Sequence, residues 1–222
     1  MIDIFDILGP IMVGPSSSHT AGAVRIGNMG RTLLGSTPVR AAIHLHGSFA
    51  ETGVGHGTDK ALVAGLLGLK ADDYDIPNSF RLAKERGLAF TFDEVQLKDA
   101  HPNSVYMELT DHTGHVLRFQ ACSVGGGRIE VTKLDSVDVN FTGSFHTLII
   151  HNLDIRGHVA DVTAALSQAG INIANMSLCR DRRGGNAITL IEMDEKLPPA
   201  VLEQLSSFSG ITHITYYEKE DE

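Results

Sequence analysis

The sequence predicts an α+β protein of two domains, and three observations predict it. Residues 39–45 alternate apolar and polar side chains, as a strand with one buried face does. Helical stretches punctuated by glycine flank that strand. Beyond residue 143 the pattern restarts as strand, helix, two strands, helix and strand. A length of 222 residues suits one large domain or two small ones. A hydrophobic content of 42% against 20% charged residues describes an ordinary globular chain, not a disordered one.

The elements follow in order. An apolar stretch from Ile7 to Val13 leads into Gly14-Pro15-Ser16-Ser17-Ser18-His19-Thr20, where Pro15 stops what precedes it and a serine can cap a helix. That helix is expected over 21–34. Gly22, Gly27 and Gly30 make it weak in isolation and suited to packing closely against a neighbour. In the strand that follows, Val39, Ala41, Ile43 and Leu45 face inward and Arg40 and His44 outward. The stretch GSFAETGVGHGTDKA, 47–61, reads as a glycine-rich loop. Thr58 or Asp59 then caps a helix carrying Leu62, Val63, Leu66, Leu67 and Leu69. A short helix is expected over 78–86, then strands 104–110 and 115–123 joined at Asp111-His112-Thr113-Gly114. Ser123-Val124-Gly125-Gly126-Gly127 interrupts the pattern, and a strand over 128–134 follows.

The domains are therefore expected at 1–142 and 143–222. In the second, strand 147–152 leads through Asp154-Ile155-Arg156-Gly157-His158-Val159 into a helix ending near Gln168. Strands 171–179 and 187–193, a helix 199–208 and a strand 211–217 complete a βαββαβ unit of ferredoxin-like type.

A net charge of −9 argues against nonspecific nucleic-acid binding. No apolar run approaches the roughly 20 residues of a membrane span. The start, MIDIFDILGP, carries acids where a signal peptide would be basic, so a cytoplasmic protein is expected. Cys122 and Cys179 fit no CxxC pattern and read as buried free thiols. An iron–sulfur cluster of the 4Fe-4S kind takes about four thiolates, more than this chain has.

Several residues bear on chemistry. The hydroxyls of GPSSSHT, with free amides and the positive end of a helix dipole, suit a carboxylate or phosphate. A capped surface turn explains the stretch equally well, and the Gly-Lys of a nucleotide P-loop is missing. His56, between Gly55 and Gly57 at an expected strand-to-helix turn, is uncrowded and suited to act as a general base or acid. Asp59 would orient it or merely cap the helix. The competing account makes His56 polar filler in a loop. His44 and His46 have a spacing that can bind metal, but no third ligand accompanies them, and no metal site is expected. His101-Pro102-Asn103 is a rigid turn whose amide can bind ligand or backbone. His112, His115, His146, His151, His158 and His213 read as solvent-facing or structural. Adjacent Ser18 and His19 do not make a hydrolase, because they point apart and no GxSxG elbow exists. In the second domain Gly157 exposes amides suited to an amino-acid carboxylate, and Asn172 and Asn175 could meet the rest of such an effector. Alternatively that domain only dimerises.

Taken together, GPSSSHTAG, GSFAETGVGHGTDKA, HPNSV and SVGGG, in this order, resemble the beta subunit of the bacterial iron–sulfur L-serine dehydratases. The stretch NLDIRGHVADVTAALSQAGINIANM resembles an ACT domain, a module that commonly senses amino acids. The resemblance spans essentially the whole chain. It implies an N-terminal α/β domain like the allosteric substrate-binding domain of some phosphoglycerate dehydrogenases, followed by the ACT domain. It also implies a lyase converting L-serine to pyruvate and ammonia by eliminating water, with a 4Fe-4S cluster ligated by an alpha subunit. His56 matches the histidine proposed as the base. Ser16, Ser17, Ser18 and Thr20 match the hydroxyl turn expected near the substrate carboxylate, with His19 beside them to orient a serine. Asn103 and Ser123 match further substrate positions. Gly157, Asn172 and Asn175 are the expected effector residues, and the ACT domain is expected to pair with a second copy. The alternative is an amino-acid sensor without chemistry of its own.

Overall fold

The computed structural model describes residues 11–135 and 137–219. The acidic start of the chain, and Ile7 to Pro10 of the apolar stretch, lie outside them. The chain divides into two compact units. The first extends through Asp135 and takes in Asn140–Thr142, while the second takes in 137–139, the start of the last strand of the first unit's sheet, and Gly143 onward.

In the first unit a π-helical turn, Ser17–Gly22, runs straight into helix α1 (Ala23–Leu34). Strand β1 (Arg40–Leu45) follows, then α2 (Ser48–His56) and α3 (Thr58–Leu66). After a 3-10 turn at Ile76–Asn78 come α4 (Ser79–Glu85) and strand β2 (Ala89–Glu94). Strands β3 (Ser104–Thr110), β4 (Val116–Gly125), β5 (Arg128–Leu134) and β6 (Val137–Phe141) complete a six-stranded sheet, ordered β2-β1-β3-β4-β5-β6. β1 and β2 are parallel; β1–β3, β3–β4 and β4–β5 are antiparallel.

The glycines of α1 explain how it docks. A Cβ on Gly27 would lie 2.3 Å from the Leu62 carbonyl oxygen, and one on Gly65 would lie 2.1 Å from that of Val24. The two helices therefore cross backbone to backbone. On the sheet side, a Cβ on Gly30 would meet the Phe119 ring at 2.7 Å.

Four expectations need correction. Residues 48–56 form helix α2, not a loop. Glycine costs about 1 kcal/mol in a helix, so Gly53 and Gly55 hide it locally, but the fully buried Phe49 anchors it. Left-handed Gly47 and Gly57, at φ 55° and 72°, delimit it. Neither Thr58 nor Asp59 caps α3. Left-handed Gly57 occupies the cap position, Thr58 is buried, and Asp59 Oδ1 accepts the Lys60 amide at 2.8 Å. The Ser123–Gly127 interruption is instead a continuation of β4 through Gly125. A tight turn follows, with Gly126 and Gly127 both left-handed, as a type I′ hairpin requires. Strands β2 and β6 were unexpected. β2 is an edge strand whose Phe90 and Phe92, on one face, are held by Phe80, whose ring lies 4.9 Å from Phe90 and 6.2 Å from Phe92.

The second unit has β7 (His146–Leu153), α5 (His158–Gln168), β8 (Ile173–Arg180), β9 (Asn186–Met193), α6 (Pro199–Ser206) and β10 (Ile211–Tyr217). The sheet order β10-β7-β9-β8 is that of the expected βαββαβ fold. Val162, Leu166, Val201 and Leu205 pack from the helices onto Leu148, Ile150, Ile191 and Met193. No helix among the described residues is long and apolar enough to cross a membrane.

Gly27→Ala or Gly65→Ala must push α1 and α3 apart. Each is expected to lower stability by about 1–3 kcal/mol, the usual cost of overpacking. Urea unfolding of each variant checks it; an unchanged midpoint would mean that the helices do not meet at these glycines.

Candidate active site

Ser16 is extended and caps the π turn, its Oγ accepting the His19 amide at 3.1 Å. The Ser16 carbonyl accepts the Thr20 amide at 2.8 Å. This turn places the His19 ring over α2. There its Nε2 stands 3.1 Å from Thr52 Oγ1 and 3.2 Å from Ser48 Oγ, while Nδ1 faces Ser16 Oγ at 3.4 Å. The ring meets Phe49 edge-on at 5.3 Å and lies 5.0 Å from the ring of His56, the last residue of α2. The two histidine motifs, 37 residues apart in sequence, thus meet in one place.

The other two motifs tie into the same place. Ser48 donates its amide to the Pro102 carbonyl at 2.8 Å, so the HPN turn starts α2. Asn103 accepts the Ser123 amide at 3.0 Å and gives its own amide to His101 Nδ1 at 3.1 Å. A Cβ on Gly22 would fall 2.2 Å from Ser123 Oγ, so β4 returns to the π turn. Arg25 secures the glycine hairpin by donating to the Gly127 carbonyl at 3.1 Å.

Not every expected substrate residue is presented equally. Ser17, Ser18 and His19 are half-buried and His56 is exposed. Thr20 and Ser123 are buried beneath the turn, and neither hydroxyl has a protein partner. Ser48 and Thr52 were not singled out from the sequence. Ser48, Thr52 and His56 recur every four residues, the spacing of one helix face, a signal concealed by reading the stretch as a loop.

Burial, then the nearby His56, lowers the His19 pKa below the ordinary histidine value; the Ser48 backbone opposes the shift. His19 is therefore neutral at pH 7. Asp59 is engaged at the start of α3. His44 pairs with Asp93 through Nδ1, and His46 Nδ1 accepts the Leu97 amide at 3.2 Å. Among the described residues no group of three or more His, Cys, Asp and Glu is placed to hold a metal ion. The donor chemistry of this chain does not suit a 4Fe-4S cluster either. Burial pushes the Cys122 thiol up to about 11, and Cys179 belongs to the other unit.

In the second unit Gly157, left-handed at φ 91°, heads α5 just beyond the end of β7. Asn172 and Asn175 lie at the opposite end of the sheet, since Asn175 pairs with Glu192 and Glu192 with Thr147. Six residues of strand, about 20 Å, separate the two ends. Both asparagines already bind carboxylates. Asn172 Nδ2 donates to Asp194 at 2.6 Å, and Asn175 Nδ2 to Glu192 at 3.0 Å. One unit does not bring the three together.

A family model described as "Serine dehydratase beta chain" matches residues 1–134, and one described as "ACT domain" matches residues 146–210. The chain belongs to the serine dehydratase beta chain family. It is 37% identical over 212 residues to the probable L-serine dehydratase beta chain of Bacillus subtilis (strain 168), covering 96% of each chain. It is 34% identical over 215 residues to the L-serine dehydratase beta chain of Peptoniphilus asaccharolyticus, covering 96% of this chain and 97% of that one. A D-3-phosphoglycerate dehydrogenase of Archaeoglobus fulgidus shares 25% identity over 199 residues, 88% of this chain but 37% of its own length. Family membership makes this beta chain a subunit of a serine dehydratase, with a C-terminal ACT domain.

The lowered His19 value and the likewise lowered His158 value, both set first by burial, give acid sensitivity a definite sign. The unfolded chain takes up these protons first, so stability is present above the ordinary value of about 6.5 and is lost as pH falls through the folded values. Denaturant titrations between pH 8 and 5 should show this decline. His19→Gln should flatten it; an unchanged slope would remove His19 as a contributor.

Proposed function

We propose that this chain forms half of the active site of an L-serine dehydratase, with His56 as the base that removes the substrate Cα proton. The observation that carries this reading is the closed circuit in which the π turn, α2, the HPN turn and Ser123 meet around His19 and His56. An exposed imidazole beside a rack of hydroxyls is suited to a small anionic carbon acid.

In this reading Ser17 and Ser18, with the free amides at the head of the long helix, receive the carboxylate of L-serine. His56 takes the Cα proton, the electron pair left on Cα forms the Cα–Cβ double bond, and the β-hydroxyl departs as water with the proton that His56 took, which restores the neutral imidazole. The resulting aminoacrylate tautomerises to an imine, and water hydrolyses it to pyruvate and ammonia. Neutral His19 suits this step, because a second imidazolium would oppose charge developing on His56. The carbonyls at the end of α2 carry partial negative charge where that ring becomes positive. We assign the Lewis-acid chemistry, which helps hydroxide leave, to an iron–sulfur cluster ligated by an alpha subunit. Edge pairing through the open strands of the ACT sheet would join copies of the chain.

In a complex reconstituted anaerobically with a cluster-bearing alpha subunit, His56→Ala should lower kcat by roughly a hundredfold or more. Size-exclusion chromatography should show assembly unchanged. Near-wild-type turnover would remove His56 from the mechanism. Wild-type chain without its partner should release no pyruvate from L-serine; release by the isolated chain would end the two-subunit reading.

A further inference from the structure

The hydrogen bonds around His19 determine more than its position. Thr52 has one hydroxyl proton, and its shortest contact, 2.8 Å, is to the Ser48 carbonyl one turn back along α2, which can only accept, so the proton belongs on that bond. Toward His19 Nε2, at 3.1 Å, Thr52 Oγ1 can then only accept. Were Nε2 unprotonated, two lone pairs would face each other at that distance, and Ser48 could relieve only its own contact at 3.2 Å. With a proton on Nε2, every group is satisfied. Nε2–H reaches Thr52 Oγ1 and Ser48 Oγ, and the Ser48 hydroxyl is free to donate to Thr52 Oγ1 at 3.4 Å.

We propose that Thr52 is a positioning residue that holds His19 as the neutral Nε2–H tautomer. Its use in catalysis rests on the active-site reading above; the tautomer itself does not.

Two consequences follow for the site. With the proton on Nε2, His19 Nδ1 is an acceptor aimed at Ser16, and the Ser16 hydroxyl turns toward it at 3.4 Å while its oxygen accepts the His19 amide. Ser16 is thereby engaged on both sides and acts as cap and ring anchor, leaving carboxylate recognition to Ser17 and Ser18. His19 also has no nitrogen free to take the substrate proton, since Nε2 is protonated and Nδ1 is covered by Ser16. The base role therefore falls on His56 alone, and Thr52 enforces that division from one helical turn away.

The test compares Thr52→Val, which keeps the shape and removes the acceptor, with Thr52→Ser, which restores it. In the full-length chain labelled with 15N-histidine, long-range proton–nitrogen spectra at neutral pH should show His19 protonated on Nε2. The same pattern is expected in Thr52→Ser, and a mixture of tautomers or the Nδ1–H form in Thr52→Val. Wild-type His19 in the Nδ1–H form, or a pattern indifferent to Thr52→Val, overturns the proposal. In the reconstituted complex Thr52→Val should lower kcat roughly tenfold, a fraction of what losing a general base costs, with KM for L-serine nearly unchanged. The pH–rate profile should shift, and Thr52→Ser should rescue both. A tautomer that responds as expected while turnover does not would leave the positioning intact and count against the active-site reading. A large rise in KM alone would place Thr52 in binding and overturn its positioning role.

Discussion

Helix α1 and the turn that heads it lie against their neighbours with almost no side chain between, and the meeting of His19 with α2 depends on that approach. Three glycines make it possible, each facing a different surface: Gly22 toward Ser123, Gly27 toward the backbone of α3, and Gly30 toward Phe119. A methyl group at any of them would fall inside normal van der Waals contact. Because α1 is seated this closely, the π turn at its head is held where Ser16 can aim His19 at α2. π-helical turns are rare and concentrate at functional sites, where an extra residue re-aims a side chain.

From that seat the site is assembled by backbone bonds more than by side chains. Pro102 accepts the first amide of α2, Asn103 accepts the amide of Ser123, and Gly127 accepts Arg25. These bonds join four segments distant in sequence, with Ser17 and Ser18 half-buried and His56 exposed at their edge. The buried hydroxyls of Thr20 and Ser123 belong to the underside of the same construction. Each carries the cost of a desolvated hydroxyl.

The motifs themselves stood out in the sequence. A proline-led run of hydroxyls next to a histidine, and a histidine between glycines, carry their meaning in residue type. The strands of the second unit were equally legible, as short apolar runs such as Leu148-Ile149-Ile150 in β7 and Leu190-Ile191 in β9, bounded by turn residues. Helix α2 was not. Its glycines argue for a loop, and only the burial of Phe49 and the left-handed turns at Gly47 and Gly57 outweigh them. With the helix went Ser48 and Thr52, whose four-residue spacing has meaning only once the segment is helical. The edge strand β2 escaped too: Phe90 and Phe92 do share one face, but only over six residues and without full burial.

What the sequence alone determined was the α+β class, the βαββαβ order of the second unit and the residue types available for catalysis. Those follow from periodicity and side-chain chemistry, which are local. Only the tertiary structure decided that His19 and His56 stand together, that Thr20 and Ser123 face inward, and that Gly157 lies far from Asn172 and Asn175. Each of those is a matter of distance between segments remote in the chain, and distance is set by how closely backbones can approach.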